Sequence, residues 1–160
     1  FNFCLRFLAN RAEAEDVTSD VFFSFFHNRY TAISQVKFST WAFTVARNGC
    51  IDRLRKGKHV GSTWVQNDQG EMEELSIKDR EPLVRENLEH RETAAHVQNA
   101  IHKLPLEQKE AIILREFHNL SYNEIAQVLN CSLENVKILI FRGRERLRLE
   151  LASFVKGEMS

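Results

Sequence analysis

A cluster of basic side chains near the end of the chain has the residue types and spacing to bind phosphates. Residues 133–148 carry five Lys or Arg side chains against two acidic ones, Glu134 and Glu145. The basic side chains are Lys137, Arg142, Arg144, Arg146 and Arg148. Guanidinium and ammonium groups neutralise nucleic-acid phosphates, and this supplies much of the affinity of DNA-binding proteins. The cluster therefore predicts a nucleic-acid surface.

A second basic segment lies in the first part of the chain, and the neutral total hides both. The chain has 22 Lys or Arg and 22 Asp or Glu, but residues 1–60 carry nine of the former against five of the latter. Residues 61–81 carry two against six, and residues 82–160 carry eleven of each. Because the distribution of charge matters more than its sum, a net charge of zero does not exclude a nucleic-acid partner.

Two short helices that would position the first cluster are predicted from a pair of capping signals. Ser121 and Glu124 form the S-x-x-E pattern of a capping box, which predicts a helix that ends at about Asn130. Ser132 can cap a second helix directly after it, and the small Ala126 suits a close crossing of the two. This is the pattern of a helix-turn-helix motif, whose second helix enters the DNA major groove.

The second helix of this motif divides into an inward stripe and an outward face. Apolar or small side chains recur at steps of three and four residues, the period of a helix that packs on one side. The inward stripe is Val136, Ile140, Gly143, Leu147, Leu151 and Phe154. The outward side chains are Lys137, Ile138, Phe141, Arg142 and Glu145, and Leu139 lies at the margin. An isoleucine cannot donate to a base edge, so Ile138 packs on thymine methyl groups, contacts a protein or marks lost base readout.

The first half of the chain predicts two longer helices. Residues 12–29 form the first, with Asp16 and Asp20 on a narrow polar side. The rest of its surface is apolar and wider than one core contact needs, so the helix is sandwiched between neighbours or has a partner on one flank. Residues 39–56 form the second, which ends in a basic run. Its inward stripe is Trp41, Ala42, Val45 and Gly49.

The composition and the helical periodicity predict an all-α chain with two small helical domains joined by a linker, the second domain containing the helix-turn-helix. The predicted boundaries are 1–58 for the first domain, 59–82 for a flexible acidic linker and 83–160 for the second domain. The linker is predicted from its glycines, its acids and its lack of a sustained period. Because the chain starts inside a helix, we expect a further segment upstream.

Enzymes, metal proteins and membrane proteins are the main classes that the sequence argues against. It has no glycine-rich phosphate loop, H-E-x-x-H motif or nucleophile elbow, so no catalytic residue is expected. His90, His96 and His102 scatter around a helix, so no metal or other cofactor is expected. The three cysteines form no C-x-x-C pair and favour a reducing cytoplasm. No apolar run is long enough for a membrane span.

The two halves of the chain together resemble a known family. The stretch LPLEQKEAIILREFHNLSYNEIAQVLNCSLENVKILIFRGRERLR, residues 104–148, resembles the region 4 domain of bacterial RNA polymerase sigma factors, especially those of the extracytoplasmic-function group. The stretches RAEAEDVTSDVFFSFF, residues 11–26, and FSTWAFTVARNGCIDRLRKGK, residues 38–58, resemble their region 2 domain. The resemblance implies a transcription initiation factor that binds core RNA polymerase and directs it to promoters, with an anti-sigma factor as a further partner.

The resemblance also implies three sets of contact residues. The clamp helices of the polymerase would be bound by Asp16 and Asp20. The melted minus-ten element would be bound through Lys37, Phe43, Arg47, Asn48, Arg53 and Arg55, with Phe43 and Tyr30 placed to stack on bases. The double-stranded minus-thirty-five element would be bound by Ser132, Lys137, Ile138, Phe141, Arg142 and Arg144.

The chain departs from this family directly after Lys137. Relatives commonly carry a small hydroxyl residue and then a basic one there, whereas this chain has Ile138 and Leu139. Two alternatives therefore stay open, a sigma-like adaptor and a conventional helix-turn-helix regulator, each with weakened base readout. The regulator would leave the basic helix of the first domain unexplained.

Overall fold

The computed structural model of the chain describes residues 1–28, 36–59 and 86–158. These residues form helices and no strand, which confirms the predicted all-α class. The chain divides into two compact units, Phe1–Asp79 and Arg80–Ser160. Most of the predicted linker lies outside the described residues.

The described residues of the first unit form three helices that pack on one another. They are α1 (Asn2–Leu8), α2 (Arg11–Asn28) and α3 (Phe38–His59). Ala9 adopts a left-handed backbone with a φ angle of 51° and ends α1. The Asn10 side chain then accepts a hydrogen bond from the backbone amide of Glu13 at 3.1 Å, so it caps α2. The turn between the first two helices therefore lies at Ala9 and Asn10.

The core of the first unit lies where its three helices meet. Its buried members are Phe3, Cys4, Leu5, Phe7, Ala14, Val17, Thr40, Ala46 and Cys50. The predicted inward stripe of α3, from Trp41 to Gly49, is only half-buried, whereas Ala46 and Cys50 are buried. The predicted stripe is wrong because α3 packs against both α1 and α2. Its buried residues therefore lie on the side of the helix between these two neighbours. At Gly49 a Cβ atom would lie 2.9 Å from Cγ1 of Val17, so α2 and α3 approach closely there.

The described residues of the second unit form four α-helices around a core of aliphatic side chains. They are α4 (Glu86–His102), α5 (Leu106–Ile112), α6 (Tyr122–Leu129) and α7 (Leu133–Glu158). Ile112, Ile113 and Leu114 are fully buried. After α5 the chain continues into a π-helical turn, Ile113–Phe117, which the sequence did not predict. The hydrogen bonds of this wider turn reach one residue further than those of an α-helix.

The helix-turn-helix has the caps that the sequence predicted. The Ser121 hydroxyl accepts from the Glu124 backbone amide at 3.2 Å, and the Glu124 carboxylate accepts from the Ser121 amide at 2.8 Å. Asn130 ends α6 in a left-handed conformation with a φ angle of 51°. The Ser132 hydroxyl then accepts from the Asn135 backbone amide at 3.1 Å and caps α7. Each predicted boundary of the motif is therefore confirmed.

Arg115, in the preceding π-helical turn, contacts the start of α6. Arg115 donates a hydrogen bond to the backbone carbonyl of Leu120 at 2.8 Å. Its guanidinium also lies over the ring of Tyr122, 5.1 Å from the ring centroid. Between the π-helical turn and α6, Asn119 has a φ angle of 54°. These contacts fix the direction in which α6 leaves the π-helical turn and hence the position of the motif.

The inward stripe of α7 packs on α5. Val136, Ile140 and Gly143 are buried, which confirms this part of the predicted stripe. A Cβ atom at Gly143 would lie 2.6 Å from Cγ1 of Ile112, so the backbone of α7 lies directly against the Ile112 side chain of α5. Farther along the stripe, Leu147 is half-buried.

The described residues include neither a membrane-spanning helix nor a metal-binding cluster. None of their helices is long and apolar enough to cross a membrane. No group of three or more His, Cys, Asp or Glu side chains among them is arranged to hold a metal ion. Near the end of α4 the His102 ring lies 3.0 Å from the Gln98 amide, and burial together with nearby Lys109 lowers the pKa of His102. This histidine is part of helix packing.

Candidate nucleic-acid interface

The outward side of α7 carries apolar and basic side chains together. Ile138 is 46% exposed and Phe141 is 68% exposed, and Lys137 and Arg142 are exposed beside them. Residues three or four positions apart are neighbours on a helix, so these four side chains form one surface. We call Lys137, Ile138, Phe141 and Arg142 the reading face.

The N-terminus of α7 lies at one end of the reading face. Ser132 is exposed there, and its hydroxyl oxygen is already used as the helix cap. Its proton can still be donated to a phosphate, because a hydroxyl donates and accepts at once. The positive end of the helix dipole also favours an anion, although Glu134 in the first turn opposes one.

Leu139 corrects one prediction about this surface. The sequence placed it at the margin of the core, but it is only 7% exposed. Its neighbour Ile140 is 1% exposed, as expected for the inward stripe. The buried side of α7 is wider than the stripe because the helix packs on α4, α5 and α6 at once. Of the two unusual residues that follow Lys137, Ile138 alone reaches the reading face.

Arg144 is engaged within the second unit. Its Nε and Nη2 atoms donate to one carboxylate oxygen of Glu116 at 2.9 and 2.6 Å. This hydrogen bond raises the pKa of Arg144 above its already high usual value. If Arg144 contacts the DNA backbone as predicted, its guanidinium must bind a phosphate and the Glu116 carboxylate at the same time. The sequence analysis missed Glu116, because 28 positions separate it from Arg144.

The other cations of α7 are divided between paired and open ones. Arg148 pairs with Glu145 one turn away at 3.2 Å. Within the part of the chain that the structure describes, no carboxylate pairs with Lys137, Arg142 or Arg146. All three are exposed, so they offer charge to a phosphate without first breaking an ion pair.

The predicted minus-ten residues are carried by α3 and the residue before it. Lys37, Asn48 and Arg55 are exposed, whereas Arg47 and Arg53 are half-buried. They are spread over both ends and more than one side of a helix of 22 residues. The structure therefore brings them to one helix but not to one compact site. Tyr30 and most of the loop before Lys37 lie outside the described residues.

Arg53 joins two predicted sites that the sequence analysis treated as separate. Its Nη1 atom lies 3.2 Å from a carboxylate oxygen of Asp16, and its Nη2 atom lies 3.6 Å from one of Asp20. The Arg53 side chain is 30% exposed, while both carboxylates are largely exposed. A predicted DNA contact thus pairs with both predicted polymerase contacts, since α3 lies against α2.

The aromatic residues of α3 do not follow the prediction. Phe43 was expected to offer an open stacking surface, but it is half-buried and its ring meets that of Phe3 edge-on at 5.6 Å. That expectation is corrected, because α1 covers this side of α3. Phe38 is exposed, stacks on Trp41 at 5.9 Å and meets Phe25 at 5.1 Å. Phe38 was not among the predicted contacts, although its place beside Lys37 was a usable signal.

The C-terminal half of α2 exposes a row of aromatic rings. Phe22 is 58%, Phe23 75% and Phe26 68% exposed. Large apolar side chains grouped on a surface usually mark a place where a partner binds. The predicted wide apolar arc of this helix is therefore only partly covered by the first unit, and the rest is open to a partner on the flank.

Comparison with known families matches both halves of the chain. The family profile described as Sigma-70 region 2 matches residues 1–60, and the profile described as Sigma-70, region 4, matches residues 94–147. The chain is similar to the ECF RNA polymerase sigma factor SigW of Bacillus subtilis, with 33% identity over 94% of this chain and 82% of the relative. It is similar to the RNA polymerase sigma-H factor of Pseudomonas aeruginosa, with 32% identity over 89% of this chain and 75% of the relative.

Solved structures show the same arrangement of helices. The sigma factor RpoE of Bartonella quintana, solved in complex with the anti-sigma factor NepR, matches with a TM-score of 0.70 and 24% identity, over 94% of this chain and 88% of that one. CnrH, solved in complex with the cytosolic domain of CnrY, matches with a TM-score of 0.67 and 22% identity, over 94% of this chain and 79% of that one. At these identities the likeness is one of fold.

Proposed function

The chain belongs to the extracytoplasmic-function group of the sigma-70 family, and from that membership we propose how its surfaces serve transcription initiation. It is a transcription initiation factor that binds core RNA polymerase and directs it to promoters. The observation that carries this function is the pair of region matches in the family's order on one chain, with 33% identity to a relative over 94% of the chain.

The reading face is the part of the second unit proposed to meet the minus-thirty-five element. In a helix-turn-helix the second helix lies in the major groove, and its first turns contact base edges. Lys137 and Arg142 are exposed there and suit phosphates or guanine edges. Ser132 and the N-terminus of α7 suit a phosphate at the groove edge. Arg144 contributes to the backbone contact together with its Glu116 partner.

The basic side of α3 is the part of the first unit proposed to meet the melted minus-ten element. A single strand is bound by cations along its backbone and by aromatic rings under its bases. Exposed Lys37, Asn48 and Arg55 supply charge and hydrogen bonds, with Arg47 and Arg53 farther in. Because Phe43 packs on α1, the stacked rings of Phe38 and Trp41 replace it in this proposal as the base platform.

The open flank of α2 is proposed to bind the polymerase. Asp16 and Asp20 are exposed on this helix. The exposed rings of Phe22, Phe23 and Phe26 follow Asp20 along the same helix. Apolar rings beside charged groups are the composition of a specific protein interface. Three exposed rings on one short segment are otherwise unfavourable in water, which supports a partner there.

An anti-sigma factor is proposed as a further partner. RpoE was solved in complex with the anti-sigma factor NepR, and CnrH was solved in complex with the cytosolic domain of CnrY. The family is non-catalytic, and we accordingly propose that this chain performs no reaction of its own. We place it in the cytoplasm, where its polymerase works.

Transcription in vitro with purified core polymerase tests the function. The full chain is added to the core enzyme with a library of promoter templates, and the transcripts are sequenced. We expect transcripts from a defined set of promoters that are absent without the chain. If the chain binds the polymerase but starts no transcript, the adaptor hypothesis, which the exposed Ile138 favours, replaces the initiation factor. Binding to duplex DNA without any affinity for polymerase would instead indicate a conventional regulator.

A further inference from the structure

The centre of the reading face is apolar, and only two side chains make it so. Ile138 and Phe141 are three positions apart, which makes them neighbours on one side of α7. Leu139 and Ile140 between them point into the core. The apolar part of the face therefore consists of one branched aliphatic group and one ring, both open to solvent.

The surroundings of this pair favour DNA over a protein as its partner. Lys137, Arg142 and Arg146 are exposed around it, and nearby Glu145 is engaged with Arg148 at 3.2 Å. A specific protein interface covers about 800 Å² on each partner, and two side chains are a small part of that. A small apolar centre inside a cationic rim instead fits a groove that is lined by phosphates.

The major groove offers one apolar group to such a centre. Among the base edges exposed there, only thymine carries a methyl group, at C5, and aliphatic or aromatic side chains contact it favourably. Residues three positions apart advance about 4.5 Å along a helix, whereas stacked bases on one strand are about 3.4 Å apart. Two side chains at this spacing can therefore contact the methyl groups of neighbouring base pairs.

We propose that Ile138 and Phe141 determine promoter choice by packing on the C5-methyl groups of thymines in the minus-thirty-five element. This rests on the proposed function, in which α7 lies in the major groove of that element. Lys137 and Arg142 hold the helix by phosphate contacts, and the apolar pair selects the base. The isoleucine that departs from the family pattern then changes what is read and does not abolish reading.

Deoxyuridine gives a direct test, because it pairs like thymidine and lacks only the C5-methyl group. Promoters that depend on the full chain with core polymerase are first identified by transcription. Each thymine of the minus-thirty-five element is then replaced singly by deoxyuridine, and the affinity of the complete holoenzyme for the template is measured. At the thymines contacted by Ile138 or Phe141 we expect a loss of about fourfold per methyl group, the value of one buried carbon.

Variants of the chain assign the methyl groups to side chains. Ile138→Ser restores a small hydroxyl, and we expect it to bind thymidine and deoxyuridine templates equally at one position. Phe141→Ala should do the same at a neighbouring position. Leu149→Ser removes another exposed apolar side chain of α7, 62% exposed, and serves as the matched control that keeps the full preference. Melting curves of each variant check that the fold is intact, and the deoxyuridine series on the unaltered chain needs no variant at all.

The outcomes separate this inference from the function on which it rests. If scrambling the minus-thirty-five element abolishes binding while no deoxyuridine has an effect, the methyl contact is overturned and the proposed function stands. If scrambling has no effect, the minus-thirty-five role of α7 fails, and the methyl contact fails with it. If Ile138→Ser weakens binding equally on both kinds of template, or acts only when an anti-sigma factor is added, the pair contacts something other than a methyl group.

Discussion

The reading face of α7 and the basic side of α3, both proposed to meet DNA, differ in how their cations are held. On α7, Lys137 and Arg142 are exposed, and no carboxylate of the described residues pairs with them. On α3, Arg53 is drawn between Asp16 and Asp20 and is half-buried. The reading face is therefore formed before DNA arrives, whereas part of the charge on α3 must exchange an internal carboxylate for a phosphate.

This difference shows that the number of cations in a segment is a poor guide to its affinity for DNA. Residues 1–60 have the larger basic excess, nine against five, yet one of their cations serves to join α2 and α3. The reading face, proposed to bind duplex DNA, needs no exchange of ion-pair partners before it meets phosphates. The single-strand surface depends on which partner occupies α2, since Asp16 and Asp20 are also the proposed polymerase contacts.

The largest loss of stability and of duplex binding is expected at Gly143, where α7, the helix that carries the reading face, packs on α5. Gly143→Val would place a side chain where a Cβ atom already lies 2.6 Å from Ile112, so α7 must move away from α5. We expect the second unit to lose about 1–3 kcal/mol of unfolding free energy, with loss of duplex binding and retained structure in the first unit. Urea titration followed by circular dichroism, with separate probes for the two units, measures both effects.

A glycine of the other unit provides the control. Nothing lies within 4 Å of the Cβ position of Gly57 near the end of α3. Gly57→Ala is therefore expected to stabilise the first unit by up to about 1 kcal/mol through helix propensity alone. If Gly143→Val and Gly57→Ala destabilised their units equally, the close contact of α5 and α7 would not be the cause of the loss at Gly143.

The aromatic residues of α3 allow a second test, on the single-strand side of the comparison. Phe38→Ala should weaken binding of a single-stranded minus-ten oligonucleotide to the holoenzyme by about 1–3 kcal/mol, the value of one stacked base. It should lower the stability of the first unit by only about 1 kcal/mol, because Phe38 is exposed although its ring also meets Trp41 and Phe25. Fluorescence anisotropy with a labelled oligonucleotide measures the affinity.

Phe43→Ala is the matched change in the same helix. Its ring packs edge-on against Phe3, so we expect lower stability of the first unit and little direct effect on the oligonucleotide. If Phe43→Ala weakened oligonucleotide binding with unchanged melting temperature, the original expectation from the sequence would be right and the assignment to Phe38 wrong.

The features that the sequence predicted well are those set by neighbouring residues. The capping box of Ser121 and Glu124 and the cap at Ser132 depend on side chains that reach backbone amides three positions away, and the turn at Asn130 depends on the left-handed backbone of that residue itself. Such contacts need no knowledge of tertiary structure. The turn that begins α2 at Asn10 was predictable for the same reason.

The features that it missed are set by distant residues. Arg53 and Asp16 are 37 positions apart, and Arg144 and Glu116 are 28 apart, so no local pattern links them. Leu139 was misplaced because a stripe drawn for one packing partner is too narrow for a helix with three. The same physical cause, a second packing partner, explains the corrections to the inward stripe of α3 and to Phe43.

The cations of α7 give the third test of the comparison. Arg142→Ala should weaken duplex binding by about tenfold and reduce the dependence of log affinity on log salt concentration by about one unit. Arg148→Ala is the control, because Arg148 already pairs with Glu145 and should contribute less. Affinity measured across a salt series separates the two, and equal slopes for both variants would contradict the division into open and paired cations.

The smallest effect, and the one that tests the comparison most directly, concerns the acids that hold Arg53. The double substitution Asp16→Asn and Asp20→Asn removes both partners of the guanidinium, each of which is exposed and contributes about 0.2–1 kcal/mol as a surface ion pair. We expect the free chain to bind the single-stranded minus-ten oligonucleotide about two- to fivefold more tightly at low salt, because Arg53 then meets the phosphate without losing a carboxylate. Binding to core polymerase should fall at the same time.

Two controls distinguish release of Arg53 from a general change of charge. Glu15→Gln removes an acid from the same helix whose partner is Arg11, at 3.0 Å, so it tests loss of negative charge without touching Arg53. Placing the double Asn substitution in an Arg53→Gln background completes a mutant cycle, in which the coupling between arginine and acids is read directly. If the gain in oligonucleotide binding persists without the arginine, the acids act only through long-range repulsion, and α3 is as open to DNA as α7. If the gain disappears, the carboxylates that are proposed to bind the polymerase also restrain a DNA contact, and docking of α2 on the polymerase would release Arg53 for the melted strand.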